Sequence, residues 1–192
     1  MTTIAVVKKN GVIAIAADTL TKWGSGKESA EYIVNHGKFI RVGESLIAVS
    51  GNATFKHVLD DYFASDERQA TPLRTVQEIF TAWQQMHKVL KEEYFVRPEE
   101  SQDDALESSR MDVLIANPYG IFGVSGMRTV QEFVKFYAYG SGTDYALGAL
   151  YASYDRPELD AESLARLAIQ TAAEFDDGTG APIECHLFIP VK

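Results

Sequence analysis

The chain has 192 residues, 46% of them hydrophobic and 23% charged, the balance of an ordinary soluble globular protein with room for a substantial core. Its 18 Lys and Arg against 27 Asp and Glu leave a formal charge of −9, which repels phosphate backbones and argues against a nucleic-acid partner. With Cys185 as its one cysteine the chain forms no internal disulfide, and no apolar run nears the ~18 residues of a membrane-spanning helix.

The N-terminal lysines follow the first apolar residues rather than precede them, which is not the order of a signal peptide, so a cytoplasmic location is expected. Residues 3–7 and 12–17 predict two strands joined through Lys8-Lys9-Asn10-Gly11, because Asn-Gly accepts positive φ at both turn positions. A polar, Gly-containing stretch over 22–36 reads as a long loop. A second hairpin is expected over 38–42 and 45–50, turned by Gly43-Glu44, and a helix from Gly51-Asn52 to about residue 64.

Val76, Ile79, Phe80, Trp83, Met86 and Leu90 recur at three- and four-residue spacing, one apolar stripe on a helix over 72–93. Residues 98–110 carry Glu99, Glu100, Asp103, Asp104 and Glu107 and read as a solvated connection. Strands follow over 112–117, 121–125 and 132–139, then helices over 143–153 and 161–175, and a last strand over 183–191. Cys185 in that strand reads as a small core residue.

The order is paired strands, two helices, paired strands, two helices and one strand. Two sheets packed together with helices outside, a four-layer αββα sandwich of the α+β class, buries every apolar face in one domain over 1–192. A two-layer α+β fold is the alternative.

Thr2 directly follows Met1, and a small second residue favours removal of the initiator methionine. A terminal threonine combines a hydroxyl nucleophile with an α-amine of pKa about 8, near enough to neutral to act as its base. With Met1 attached, that nitrogen is an amide and the chemistry is off. Asp18 ends the apolar run 12–17, where a buried carboxylate needs a cation or several donors, although a strand-end aspartate can also face water. Lys38 offers that cation. It alternates onto one face with Ile40 and Val42, and a desolvated lysine beside a nucleophile activates it electrostatically; a frayed strand start is the other reading. Ser50-Gly51-Asn52 and Gly140-Ser141-Gly142 each lead into a helix, where an unobstructed N–H can donate to an oxyanion, or simply form a tight turn. Asp176-Asp177-Gly178-Thr179-Gly180 ends a helix without calcium-loop spacing.

Taken in order, Thr2-Thr3-Ile4, the Ala-Ala-Asp18-Thr19 strand end, Lys38 before a hairpin, Ser-Gly51, Gly-Ser141-Gly and Asp176-x-x-Thr179-Gly180 resemble the proteasome β-subunit family across essentially the whole chain. The short length looks most like the HslV type or the bacterial proteasome homologue (BPH) branch. The joint occurrence of Asp-x-x-Thr-Gly and Gly-Ser-Gly with a lengthened loop before Lys38 favours BPH. That resemblance implies the αββα fold of N-terminal-nucleophile hydrolases and threonine endopeptidase activity without cofactor or metal. It also implies stacked homo-oligomeric rings that admit peptides or unfolded proteins, with a regulatory ATPase as a further partner. It makes Thr2 the nucleophile, Lys38 its electrostatic tuner, Asp18 the holder of Lys38 and the Gly51 N–H the oxyanion donor. Ser141, Asp176 and Thr179 would form a hydrogen-bond network holding the terminal amine. Thr21, His36, Val49 and Ala53 fall where the family lines its first specificity pocket. Thr179 stands where serine is common, and the 21–37 loop is longer than usual.

Two other functions compete: a non-catalytic ring or scaffold protein, and a small-molecule amidase with the same terminal chemistry. A Ser141 nucleophile of the elbow type is disfavoured, since no Gly-x-Ser-x-Gly occurs and His36, His57, His87 and His186 show neither a partner pattern nor zinc spacing.

Overall fold

The expected first hairpin forms as β1 (Thr3–Lys9) and β2 (Val12–Asp18), with Asn10 and Gly11 at φ 51° and 72° in the turn between them. The computed structural model describes residues 2–97 and 105–191. Met1 and the acidic positions Glu99, Glu100, Asp103 and Asp104 lie outside the described residues.

Two antiparallel sheets carry the architecture. The first has the order β10-β1-β2-β11, with β10 at Phe136–Gly140 and β11 at Ile183–Phe188. The second runs β5-β6-β7-β8-β9, through Phe39–Val42, Ser45–Ser50, Asp112–Asn117, Gly120–Val124 and Val130–Phe133. Strand alternation sorts the side chains into three cores. Ile4, Val6, Ile13 and Ile15 meet Leu114 and Ile121 between the sheets. The opposite face of the first sheet presents Ala5, Ala14 and Ala16 to Ala165, Ala168 and Ala172, small residues that let a helix lie close. That helix is α5 (Ala161–Phe175), beside α4 (Thr143–Ser153). The second sheet's outer face packs Ile47, Ile115 and Phe122 against Leu59, Trp83 and Met86. Those come from α1 (Thr54–Tyr62) and α3 (Val76–Glu92). The result is the four-layer αββα sandwich. Its layers bury both faces of each sheet.

Several elements differ from expectation for local reasons. The strand expected over 132–139 is two strands in different sheets: β9 pairs with β8, whereas β10 pairs with β1. The chain crosses between layers there, leaving Val134 85% exposed, which alternation alone does not reveal. Helix α3 starts at Val76 rather than near Pro72, because Thr75 and Glu78 form a reciprocal capping box. Helix α1 stops at Tyr62, and α2 (Asp66–Gln69) follows, capped by Ser65. The stretch 22–36 is not all loop: β3 (Thr21–Trp23) and β4 (Gly26–Glu28) form a hairpin, followed by one 3-10 turn, Ala30–Tyr32. Strand β11 ends at Phe188 instead of 191.

Candidate active site

The site lies at the edge of the sandwich where β1 begins and β2 ends. In the β1–β2 register Ile4 faces Ala17, which sets Thr2 and Thr3 beside the Asp18 end of β2. Asp18 has no solvent exposure. Its Oδ1 accepts from the Thr3 N–H at 3.0 Å, and its Oδ2 from the N–H groups of Leu20 and Gly180 at 3.1 Å each. The remaining partner is a charge: Lys38 Nζ donates to Asp18 Oδ1 at 2.5 Å and to the Leu20 carbonyl at 2.9 Å. Lys38 immediately precedes β5 and is itself buried.

Burial lowers the Lys38 pKa from its usual 10.5, against the opposing pull of the Asp18 carboxylate. The same burial pushes Asp18 up, while Lys38 and the Thr3 and Gly180 N–H groups act to keep it charged. The ion pair is thus held at a desolvation cost that three N–H donors on Asp18 and the Leu20 carbonyl on Lys38 offset in part.

A second network anchors the start of β1. The Thr2 carbonyl accepts from the Ser141 N–H at 2.9 Å and stands 3.5 Å from the Ser141 hydroxyl. Ser141 Oγ donates to Asp176 Oδ2 at 2.7 Å, and Thr179 Oγ1 donates to the same oxygen at 2.5 Å. Burial raises the Asp176 carboxyl, but these two hydroxyls and the Gly178 N–H together leave it below its usual 3.8. The network closes on Thr3, whose Oγ1 lies 2.5 Å from Thr179 Oγ1 and accepts from the Gly142 N–H at 3.1 Å. Ser141, Asp176 and Thr179 therefore grip Thr2 through its carbonyl and through its neighbour's hydroxyl. Thr3 is the site residue that sequence reasoning gave no role. Its available signal was a hydroxyl on the strand face that otherwise carries Ala5 and Val7.

Gly140 makes this anchor sterically feasible. It sits at φ 113°, and a Cβ there would run into the Thr2 carbonyl. Gly51, at φ 127°, follows β6 and faces the same space as Thr2.

Thr2, Lys38 and Gly51 line one cavity of about 360 Å³. Thr21, His36, Val49 and Ala53 line it too, so all the residues expected at a specificity pocket meet there. The lengthened segment forms part of the wall rather than a plug, with Trp23 and Glu28 of the β3–β4 hairpin at the cavity. Trp23 Nε1 donates to Glu28 Oε2 at 2.8 Å within the hairpin, and Lys22 pairs with Asp177, tying the hairpin to the Asp176 loop. Two of the four histidines have hydrogen-bond partners that their spacing did not imply. His36 Nδ1 lies 2.7 Å from the Ile33 carbonyl, and His87 contacts Ser109 and Glu107.

No protein-family model matches the chain. The proteasome subunit beta of Nanoarchaeum equitans is 27% identical over 198 residues, covering 97% of this chain and 92% of that protein. Among solved structures, Thiobacillus denitrificans BPH is 58% identical with a TM-score of 0.93, over 98% of each chain. The same protein in complex with epoxomicin matches at 56% identity and TM-score 0.93, covering 99% of this chain and 100% of that one. Trypanosoma brucei HslV, at 18% identity and TM-score 0.67 over 97% of this chain and 99% of its own, shares the fold.

The sandwich is that of the N-terminal-nucleophile hydrolases. The chain belongs to the proteasome β-subunit family of threonine proteases, alongside the BPH proteins. Among the described residues no helix is long and apolar enough to cross a membrane.

Proposed function

We propose that the chain, as a single catalytic domain over 1–192, is an endopeptidase that cleaves peptide bonds with Thr2 once Met1 is removed. The Thr2 hydroxyl attacks the scissile carbonyl carbon while the Thr2 amine takes its proton. Negative charge gathers on the substrate oxygen, where the Gly51 N–H donates to it. The C–N bond then breaks, the proton passes to the departing amine, and an ester on Thr2 remains. Water, deprotonated by the same amine, hydrolyses that ester and restores the hydroxyl. Lys38 supplies positive potential beside the hydroxyl, and Asp18 keeps the ammonium in place. Ser141, Asp176 and Thr179 hold Thr2 so that its amine and hydroxyl share one geometry. Thr21, His36, Val49 and Ala53 bound the space for the substrate side chain.

One observation carries this reading: Thr2 shares a cavity with a buried lysine whose ammonium is paired to a fully buried carboxylate. An epoxomicin complex of the 56% identical Thiobacillus denitrificans BPH supports it. The family's architecture favours stacked homo-oligomeric rings in the cytoplasm that admit unfolded chains and peptides, with a regulatory ATPase as the unfolding partner.

The test compares wild type with Thr2→Ala using fluorogenic peptides, intact mass and epoxomicin labelling. Wild type is expected to have lost Met1, to turn over peptide and to gain the inhibitor's mass. Thr2→Ala is expected to fold and assemble, yet neither turn over nor label. Turnover by Thr2→Ala would end the nucleophile assignment.

A further inference from the structure

Behind the Gly51 side of the cavity lies a buried polar cluster that the reaction above does not use. His87, on the inner side of α3, places Nδ1 2.9 Å from Ser109 Oγ and Nε2 3.3 Å from Glu107 Oε2. The carboxylate at Nε2 selects the tautomer protonated there, so Nδ1 accepts from the Ser109 hydroxyl. Arg128, in the turn between β8 and β9, donates through Nη1 to the Glu107 carbonyl at 2.6 Å and through Nε to Gln84 Oε1 at 3.0 Å. Its Nη1 also lies 3.5 Å from Ser109 Oγ. Lys91 completes the surface side, 2.6 and 2.5 Å from the two Glu107 oxygens. The connectivity is that of a serine–histidine–carboxylate relay, but Ser109 is 1% exposed and no substrate carbonyl reaches it.

What the cluster holds is a short segment with an address. The Ser109 N–H donates to the Gly126 carbonyl at 2.7 Å, and the Arg110 N–H to Ser108 Oγ at 3.0 Å. Arg110 is thereby kept at φ 58°, an uncommon conformation for a side-chain-bearing residue. Its carbonyl then faces Gly51: a Cβ on Gly51 would stand 3.1 Å from Arg110 O and 3.6 Å from Met111 Cα. The segment is the backstop of the glycine whose N–H the proposed reaction uses.

We propose that His87, Ser109 and Arg128 form a positioning clasp for catalysis, holding the 108–111 backbone against Gly51 so that its N–H stays aimed into the cavity. The inference rests on Gly51 being the oxyanion donor. None of the clasp residues touches substrate; each acts through Arg110 and Gly51. Misaiming a donor by about 1 Å costs on the order of a hundredfold in rate, without comparable loss of ground-state binding.

The test is Ser109→Ala in the assembled enzyme, read as separate kcat and KM values and as affinity for a peptide boronate, whose tetrahedral anion needs the oxyanion donor. The clasp predicts kcat lowered roughly tenfold or more, KM within about threefold of wild type, and boronate affinity lowered by the same factor as kcat. His87→Gln, which returns a hydrogen-bonding amide toward Ser109, is expected to keep most of the turnover. Should Ser109→Ala fail to assemble, Arg128→Lys, which loses the guanidinium contacts and keeps the charge, is read by the same measurements. An unchanged kcat overturns the proposal, and so does a lowered kcat with boronate affinity unmoved. Failure of both variants to fold overturns it as well, since the cluster is then a folding element alone. Thr2→Ala run alongside separates the two ideas: activity there refutes the nucleophile, whereas a dead Thr2→Ala beside a normal Ser109→Ala refutes only the clasp.

Discussion

Replacing Asp18 by Asn is the sharpest perturbation of the proposed machinery, because it changes one atom and removes one charge. The carboxylate has no exposure, and each of its oxygens takes two donors: Lys38 and the Thr3 N–H on Oδ1, the Leu20 and Gly180 N–H groups on Oδ2. An amide can keep only one of those oxygen positions; its NH2 must face donors at the other. The Lys38 ammonium meanwhile stays buried without its carboxylate, left to neutral acceptors such as the Leu20 carbonyl. Breaking a buried ion pair from one side costs about 3–5 kcal/mol, which for a domain this size lowers the melting temperature by about 6–20 °C. Turnover is expected to fall at least about a hundredfold, since Lys38 loses both its position and the carboxylate that favours its charged form. Thermal melts and peptide hydrolysis of Asp18→Asn, Lys38→Met and the double variant form the assay. The double variant removes the stranded charge as well as its partner, so a favourable coupling of about 1–3 kcal/mol is expected between the two substitutions. An Asp18→Asn protein that melts within about 2 °C of its parent and still cleaves peptide would refute the reasoning.

Gly140→Ala offers a steric counterpart. It combines a φ of 113° with a Cβ directed into the Thr2 carbonyl, so it should displace Thr2 and abolish both epoxomicin labelling and turnover. Full labelling of the variant would contradict that. The His87 cluster predicts a pH signature. Burial holds the folded-state imidazole below its usual 6.5, so the unfolded chain binds the extra proton first as pH falls. The stability carried by neutral His87 is therefore complete above about pH 6.5 and is lost as pH falls through the folded value. Melting temperatures of wild type should drop from pH 7 to pH 5 more steeply than those of His87→Gln, and parallel slopes would dismiss His87 as the titrating group.

Much of the site was legible in one dimension because local chemistry announces it. A threonine directly after the initiator methionine, a carboxylate closing an apolar strand and a lysine before an apolar hairpin are each short-range facts, and their order along the chain supplied the rest. The Asn10-Gly11 turn and the alternation of 12–17 likewise settled the first hairpin, since turn conformation and strand pleat depend on neighbouring residues. Three-dimensional packing decided the partners. Thr3 meets Thr179 across 176 positions, and Asp18 receives the Gly180 N–H across 162. The layer crossing at Val134 and the contact of His87 with Ser109 leave no periodic trace either. Hydrogen bonds between distant segments depend on how four layers stack, and that stacking follows from the total apolar surface rather than from any window of sequence.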